Sequence, residues 1–241
     1  MNRDSNTYTF IFAAVMVFIV AAALAIAATS LKPMQDSNVR KEKMQNILST
    51  IGVEVERDGA EEKFNQYIKQ QLSLKADGTV DESTNAFTIE LNKELKKPVD
   101  QQRFPLYVAE VDGKPYYIVP MRGAGLWNAI WGYISLEDDL NTVKGISLDH
   151  AGETPGLGAE ITQGWFKDRF KEEKIYNESG EIVGVKVQKG YGGGNNKDDN
   201  AVDAISGATI TGDGVTNMIK ERLSHYRPYF EKQKSKLAIN N

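Results

Sequence analysis

The sequence contains no cysteine. Disulfides, zinc–thiolate centres, iron–sulfur clusters and thiol nucleophiles are therefore excluded together. Histidine is almost as scarce. His150 and His225 are the only two in 241 residues, which argues against an imidazole metal site or a haem. A basic excess is also missing, since 29 Lys and Arg stand against 33 Asp and Glu, a formal net charge of -4. No Lys/Arg cluster with interleaved aromatics occurs, so the chain does not read as a nucleic-acid binder. No G-x-G-x-x-G follows a strand pattern, and the glycine-rich stretch Gly190 to Asn200 lacks the G-K-[S/T] of a P-loop. It reads as a mobile turn between strands. Any redox chemistry must therefore rest on an organic cofactor.

What the chain does have is one long apolar run. Phe10 to Ala28 is 19 residues without a charge or a strongly polar group, roughly 28 Å as a helix and close to the thickness of a bilayer. Ala25-Ile26-Ala27 resembles a signal-cleavage site, but the run exceeds the usual signal core and is preceded by one Arg offset by one Asp, Arg3 and Asp4. It is read as a retained transmembrane anchor. Lys32, Arg40, Lys41 and Lys43 follow it, and a literal positive-inside count places the large domain in the cytoplasm. That rule is weak for long translocated domains, so the charges leave the side open.

Behind the anchor, residues 31–100 read as a linker and helical extension. The linker from Asp36 passes into an amphipathic helix marked by Val39, Met44, Ile47, Leu48 and Ile51. A second helical stripe follows at Phe64, Tyr67, Ile68 and Leu72. Residues 101–230 read as the main domain. Leu106-Tyr107-Val108 and Tyr116-Tyr117-Ile118-Val119 flank Asp112-Gly113, a strong hairpin signal. Leu126 to Leu136, Val143 to Leu148 and Ile182 to Val187 are predicted strands. Val143 to Leu148 and Ile182 to Val187 look alike, a hint of internal duplication. Gln163 to Phe170 is predicted as a short helix with Trp165, Phe166 and Phe170 on its apolar face. A last helix is predicted to start near Asp213, capped by Asp213 or Thr211, and to end before Pro228. Residues 231–241 read as a polar tail that frays. The fold class is α+β: a mainly antiparallel sheet with packed helices, behind one N-terminal transmembrane helix.

Two loops carry candidate chemistry, Glu153-Thr-Pro-Gly-Leu-Gly158 and Asp203-Ala-Ile-Ser-Gly-Ala-Thr209. Ser206, Gly207, Ala208 and Thr209 are small and lie just before a predicted helix. Free backbone N–H groups and the helix dipole there favour an anion, most commonly phosphate. Thr209 and Thr211 add hydroxyls. A phosphate there is either held non-covalently or esterified, and a plain helix-capping turn uses the same residues.

The stretch Ser206 to Thr209, preceded by Asp203, resembles the flavinylation motif of FMN-binding subunits in two related respiratory complexes. These are the sodium-translocating NADH:quinone oxidoreductase, in its C subunit, and the Rnf ferredoxin:NAD oxidoreductase, in its G subunit. The E-T-P-G-L-G loop of that family is intact at Glu153 to Gly158. The long segment before the domain, and Gly123 to Leu136 with Leu126-Trp127, look more like the sodium-pump branch.

The resemblance implies that residues 101–230 are an FMN-binding domain with FMN joined covalently through its phosphate to Thr209. Ser206 and Thr211 would bond the phosphate or cap the helix, with Gly207 and Ala208 giving close approach. Glu153 and Thr154 would make polar contacts to the ring or ribityl chain. Gly156, Leu157 and Gly158 would bring backbone and the Leu157 side chain against the ring. Trp127 would cover the flavin or belong to the core, and His150 would donate to the flavin or be structural. Asp203 would position Thr209. The resemblance further implies a flavin transferase that uses FAD, neighbouring subunits of a membrane respiratory complex, and a domain on the periplasmic side of the inner membrane. The chain would relay electrons from NADH toward quinone within a complex that exports sodium, without turning over substrate alone. It would set the flavin potential with backbone N–H groups and few charges near the ring.

Overall fold

The structure, a computed structural model, describes residues 5–239. Arg3, Asp4 and the last two residues of the polar tail lie outside that range. The chain divides into two compact units, Met1–Lys43 and Met44–Asn241.

The described part of the first unit is almost wholly helical and belongs to α1 (Asn6–Ser49). Its apolar run keeps Phe10, Val17, Phe18, Leu24 and Ile26 exposed. The helix is long and apolar enough to cross a membrane and fits a single-pass anchor. The predicted polar linker is helical too. Lys32 pairs with Asp36 one turn later at 2.6 Å, the i,i+4 spacing that supports a solvated helix. Pro33 is accommodated inside it.

The second unit opens with the last turns of α1, where Met44, Ile47 and Leu48 are buried. α2 (Ala60–Tyr67) runs directly into β1 (Ile68–Leu74). β2 (Phe104–Val111), β3 (Lys114–Ala124), β4 (Ala129–Leu136) and β5 (Val143–His150) complete a five-stranded antiparallel meander in the order β1-β2-β3-β4-β5. The long β1–β2 connection contains a short α-helix, α3 (Leu91–Glu94), between two 3₁₀ turns, and is pinned by Arg103 on Asp81 at 2.5 Å. Beyond β5 come α4 (Gly164–Lys167), then β6 (Lys186–Gln188) paired in parallel with β7 (Ala201–Asp203), and finally α5 (Thr209–Ile239).

Strand periodicity divides the core in two. Leu106, Tyr117, Val119 and Met121 face one cluster, shared with Val215, Met218, Ile219, Leu223, Tyr226 and Phe230 of α5. Tyr107, Ala109, Tyr116 and Ile118 face the other, shared with Met44, Ile47 and Leu48 of α1 and Phe64 of α2. Alternation at period two is what lets one strand serve both faces. The β2–β3 hairpin closes at Asp112 and Gly113 with φ of 51° and 76°, the paired positive angles that the Asp-Gly signal foretells.

Helix α5 lies along β3 at close range. A Cβ on Gly214 would meet the Ala124 carbonyl oxygen at 2.3 Å, and one on Gly123 would meet the Met218 side chain at 2.8 Å. The Tyr226 hydroxyl donates to the buried Pro105 carbonyl at 2.7 Å. These contacts bring the first turns of α5 to the β3–β4 end of the sheet.

Several elements depart from the predicted ones. Ile68 and Leu72 belong to β1 rather than to a helical stripe; a spacing of four residues suits two strand periods as well as one helical turn. β4 begins at Ala129, which leaves Leu126 to Asn128 in the turn before it. The Ile182 to Val187 strand shrinks to Lys186–Gln188 and pairs in the small parallel sheet, so it has no counterpart role to β5. The predicted helix at Gln163 to Phe170 is α4 followed by a single 3₁₀ turn, and it buries Phe166 and Phe170 but not Trp165. α5 starts at Thr209, four residues early, and continues through Pro228. Burial of Tyr229 and Phe230 holds the helix past the missing proline N–H. The segment from Glu231 is helical rather than frayed. Arg227 pairs with Glu231 at 2.7 Å, and Lys232 donates to the Asp77 carbonyl at 2.8 Å.

Gly214→Ala tests the α5–β3 approach. Alanine in a helix gains about 1 kcal/mol over glycine, whereas a clash with backbone costs about 1–3 kcal/mol. The expected outcome is a lower melting temperature of the full chain in detergent.

Candidate functional site

Three segments meet at the start of α5: the β3–β4 turn, the loop after β5, and the Asp203 to Thr211 stretch. Their meeting point is one carboxylate. Glu153 is 4% exposed and Thr211 is 1% exposed. The Thr211 hydroxyl donates to Glu153 Oε2 at 2.6 Å. The backbone N–H groups of Trp127 and Asn128 donate to Oε1 at 3.0 and 3.5 Å. Gly158 closes over the pair, since a Cβ there would meet Thr211 Oγ1 at 2.5 Å and Glu153 Oε2 at 2.6 Å.

Burial acts to raise the Glu153 pKa. Hydrogen bonds from Thr211 and from the backbone of Trp127, Asn128 and Leu126 act against it and prevail. The carboxyl therefore titrates below its ordinary range and is ionised at neutral pH. The Glu153 N–H donates to His150 Nδ1 at 3.1 Å.

The sequence reading has Glu153 as a polar contact to the cofactor and Thr211 as a phosphate contact or a helix cap. In the structure the two side chains engage each other and backbone, and so tie the loops together. Thr154 differs. Its hydroxyl accepts from Trp127 Nε1 at 3.1 Å on the exposed side. Its carbonyl accepts from Leu157 and Ala159, both at 3.1 Å, which shapes the turn through Pro155 and Gly156.

Thr209 is the first residue of α5 and is exposed, as are Ser206 and Gly207. Gly207 has φ +75°, and a Cβ there would lie 2.7 Å from Leu157 Cδ2. Glycine thus meets both the backbone angle and the lack of room. Ala208 is buried beneath. Gly212 is the first residue of the helix to donate back, to the Ala208 carbonyl at 2.9 Å. Thr209, Ile210 and Thr211 precede it, with N–H groups that lack an intrahelical acceptor. Around this turn stand large apolar side chains left in the open: Trp127 at 69%, Ile210 at 58%, Leu126 at 46% and Leu157 at 40% exposure. Trp127 is therefore not a core residue. Its turn position, not a strand, decides this.

Sequence patterning missed Ile210, Leu126 and Arg169 as parts of the site. Ile210 had a signal, because it is apolar yet out of phase with the Val215, Met218, Ile219 stripe. Arg169 had none. It donates to the Asp203 carbonyl at 2.7 Å, stands 3.9 Å from the Asp203 carboxylate and lies 4.8 Å from the Trp165 ring centre. It braces the segment leading to Thr209.

The fold is an α+β domain that presents a threonine at a helix start beside an exposed apolar ridge. The FMN-binding domain family matches residues 125–224, which includes all three converging segments. The chain is 30% identical to the C subunit of the Na(+)-translocating NADH-quinone reductase of Pseudomonas aeruginosa, over 90% of this chain and 91% of that one. It is also 30% identical to the C subunit of the Haemophilus ducreyi reductase, over 99% and 98%. The crystal structure of the C subunit from Parabacteroides distasonis superposes with a TM-score of 0.75 at 40% identity, covering 83% of this chain and 96% of that one. Shewanella oneidensis NqrC superposes at 0.71 with 26% identity, over 81% and 98%. The chain belongs to the C-subunit family of Na(+)-translocating NADH-quinone reductases, an oxidoreductase complex, and carries its FMN-binding domain.

Two variants probe the tie. Thr211→Val leaves the buried carboxylate one donor short, at a cost of about 1–3 kcal/mol, while Thr211→Ser keeps the donor. Thermal melts should show a drop of several degrees for the first and little change for the second. Glu153 has a folded pKa below the unfolded value near 4.5. Its stabilising contribution is complete above the unfolded pKa and disappears as pH falls through the folded one. Glu153→Gln should thus be less stable than wild type at neutral pH, and urea titrations carried through the carboxylate range should show the gap closing toward acid.

Proposed function

We propose that Thr209 carries FMN as a phosphate ester, and that the chain relays electrons within a Na(+)-translocating NADH-quinone reductase. The observation that carries this reading is the exposed position of Thr209 in the first turn of α5, at the lip of the apolar ridge. The residues fit the group. The N–H groups without an intrahelical acceptor and the positive end of the helix dipole favour a phosphodiester anion. Gly207 leaves room for it, and Ser206 is exposed beside it. Trp127, Leu157 and Ile210 offer apolar surface to a flat ring, with Thr154, Gly156 and Gly158 shaping the loop beneath. FMN, when bound, supplies a group that accepts and releases electrons singly or in pairs. Thr209 tethers it, the ridge limits its water contact, and Arg169 keeps the attachment segment in place.

Attachment requires a transferase that uses FAD. The Thr209 Oγ–P bond forms, the pyrophosphate bond breaks, AMP leaves, and the hydroxyl proton passes to a base. The reading includes neighbouring subunits as electron donor and acceptor, coupling to Na+ export in the assembled complex, and a domain on the periplasmic side.

Co-expression with the transferase tests the tether. The wild-type chain should give a fluorescent band under ultraviolet light after denaturing electrophoresis, and Thr209→Ala should give none. A dark wild-type band, with an active transferase, overturns the ester. Protease added to spheroplasts should degrade the domain if it faces the periplasm, and spare it if it faces the cytoplasm.

A further inference from the structure

Carboxylates are seldom buried without a cation. Glu153 is an exception that the E-T-P-G-L-G pattern does not foretell. Every hydrogen-bond partner of its carboxylate among the described residues is neutral: the Thr211 hydroxyl and backbone N–H groups of the β3–β4 turn. His150 meets Glu153 through the backbone N–H and makes no hydrogen bond to the carboxylate. The carboxylate is bonded to the residue two places after Thr209 and to the backbone of Trp127. Those bonds tie the carboxylate to the segments that carry the two groups that would hold and cover the cofactor. With solvent excluded, its charge is weakly screened.

We infer that Glu153 is an electrostatic positioning residue which holds the bound cofactor at a more negative potential than the same pocket without its charge. This rests on the assignment of FMN to Thr209. During reduction, one electron passes from the reductant to the cofactor, and the reductant is oxidised by one electron. The negative charge gained develops in the field of the Glu153 carboxylate unless a solvent proton accompanies it. A fixed anion opposes that gain and so favours the oxidised form. The acceptors of the pocket are thereby set against its donors: the amides at the start of α5 attract the phosphate, while Glu153 repels electrons arriving on the ring.

The test is a spectroelectrochemical titration of the full-length flavinylated chain in detergent, with dithionite as reductant and redox mediators. Glu153→Gln keeps the shape and one acceptor for the Trp127 and Asn128 N–H groups, places an amide donor against the Thr211 hydroxyl, and removes the charge. Glu153→Asp keeps the charge on a shorter side chain, and Thr211→Val keeps the charge and the shape but removes one donor to it. Covalent flavin is measured first by fluorescence after denaturing electrophoresis, so loss of attachment is read separately from a change of potential. Glu153→Gln should shift the one-electron equilibrium toward the reduced form about tenfold, a positive move of about 59 mV. Glu153→Asp and Thr211→Val should remain within about twofold of wild type. If Glu153→Gln does not load, the double variant Glu153→Met/Thr211→Val, which replaces the pair by apolar groups of similar size, should give the same positive shift. Flavin attached at an unchanged potential overturns the inference, and so does an equal shift in the charge-retaining variants.

Discussion

The close seating of α5 on β3 is the constraint from which the rest of the domain follows. The helix has a continuous apolar stripe from Val215 to Phe230 and needs one flat apolar face to receive it. β3 provides that face, and Gly123 and Gly214 remove the atoms that would hold the two apart. Once the stripe is seated, the position of the helix start is no longer free. It falls beside the β3–β4 turn, and the loop after β5 is the third segment within reach. A single buried carboxylate then joins all three. The apolar stripe brings the segments together, and the polar tie sets their register.

Much of this architecture was legible from the residues. The β2–β3 hairpin follows from Asp112-Gly113 between β-rich runs, and the apolar anchor from uncharged Phe10 to Ala28. The loop Ser206 to Thr209 could be placed at a helix start from its small residues and the periodic stripe after it. Boundaries were less legible where two periods coincide. Ile68 and Leu72 satisfy both a helix and a strand, and only the pairing of β1 with β2 decides between them. The end of α5 was hidden because Pro228 and a polar segment both signal a stop. Tertiary contacts from Tyr229, Phe230 and Lys232 override both.

The site was legible in its membership more than in its roles. Glu153, Thr211 and Trp127 all belong to it, but one-dimensional patterning cannot say whether a carboxylate faces a ligand or a hydroxyl 58 residues further on. For Trp127 the residues leave cover and core both open, and the start of β4 at Ala129, which puts Trp127 in the turn with 69% exposure, removes the core reading. Arg169 left no local trace, because its role depends on a backbone carbonyl 34 residues away.

The Glu153 tie also bears on how the setting of Thr209 comes to exist. From β2 to β5 the meander joins chain neighbours, whereas the β1–β2 ladder closes over a long connection. The Thr209 turn depends on contacts spanning 26 residues, from Trp127 to Glu153, and 58 residues, from Glu153 to Thr211. Long-range contacts of this kind are rewarded only after loop-closure entropy has been overcome. The unfolded chain therefore contains the motif as letters but not as a surface. Thr209 has its setting of turn, ridge and N–H groups only where those contacts are made, so the setting reports that three distant segments of the chain have come together.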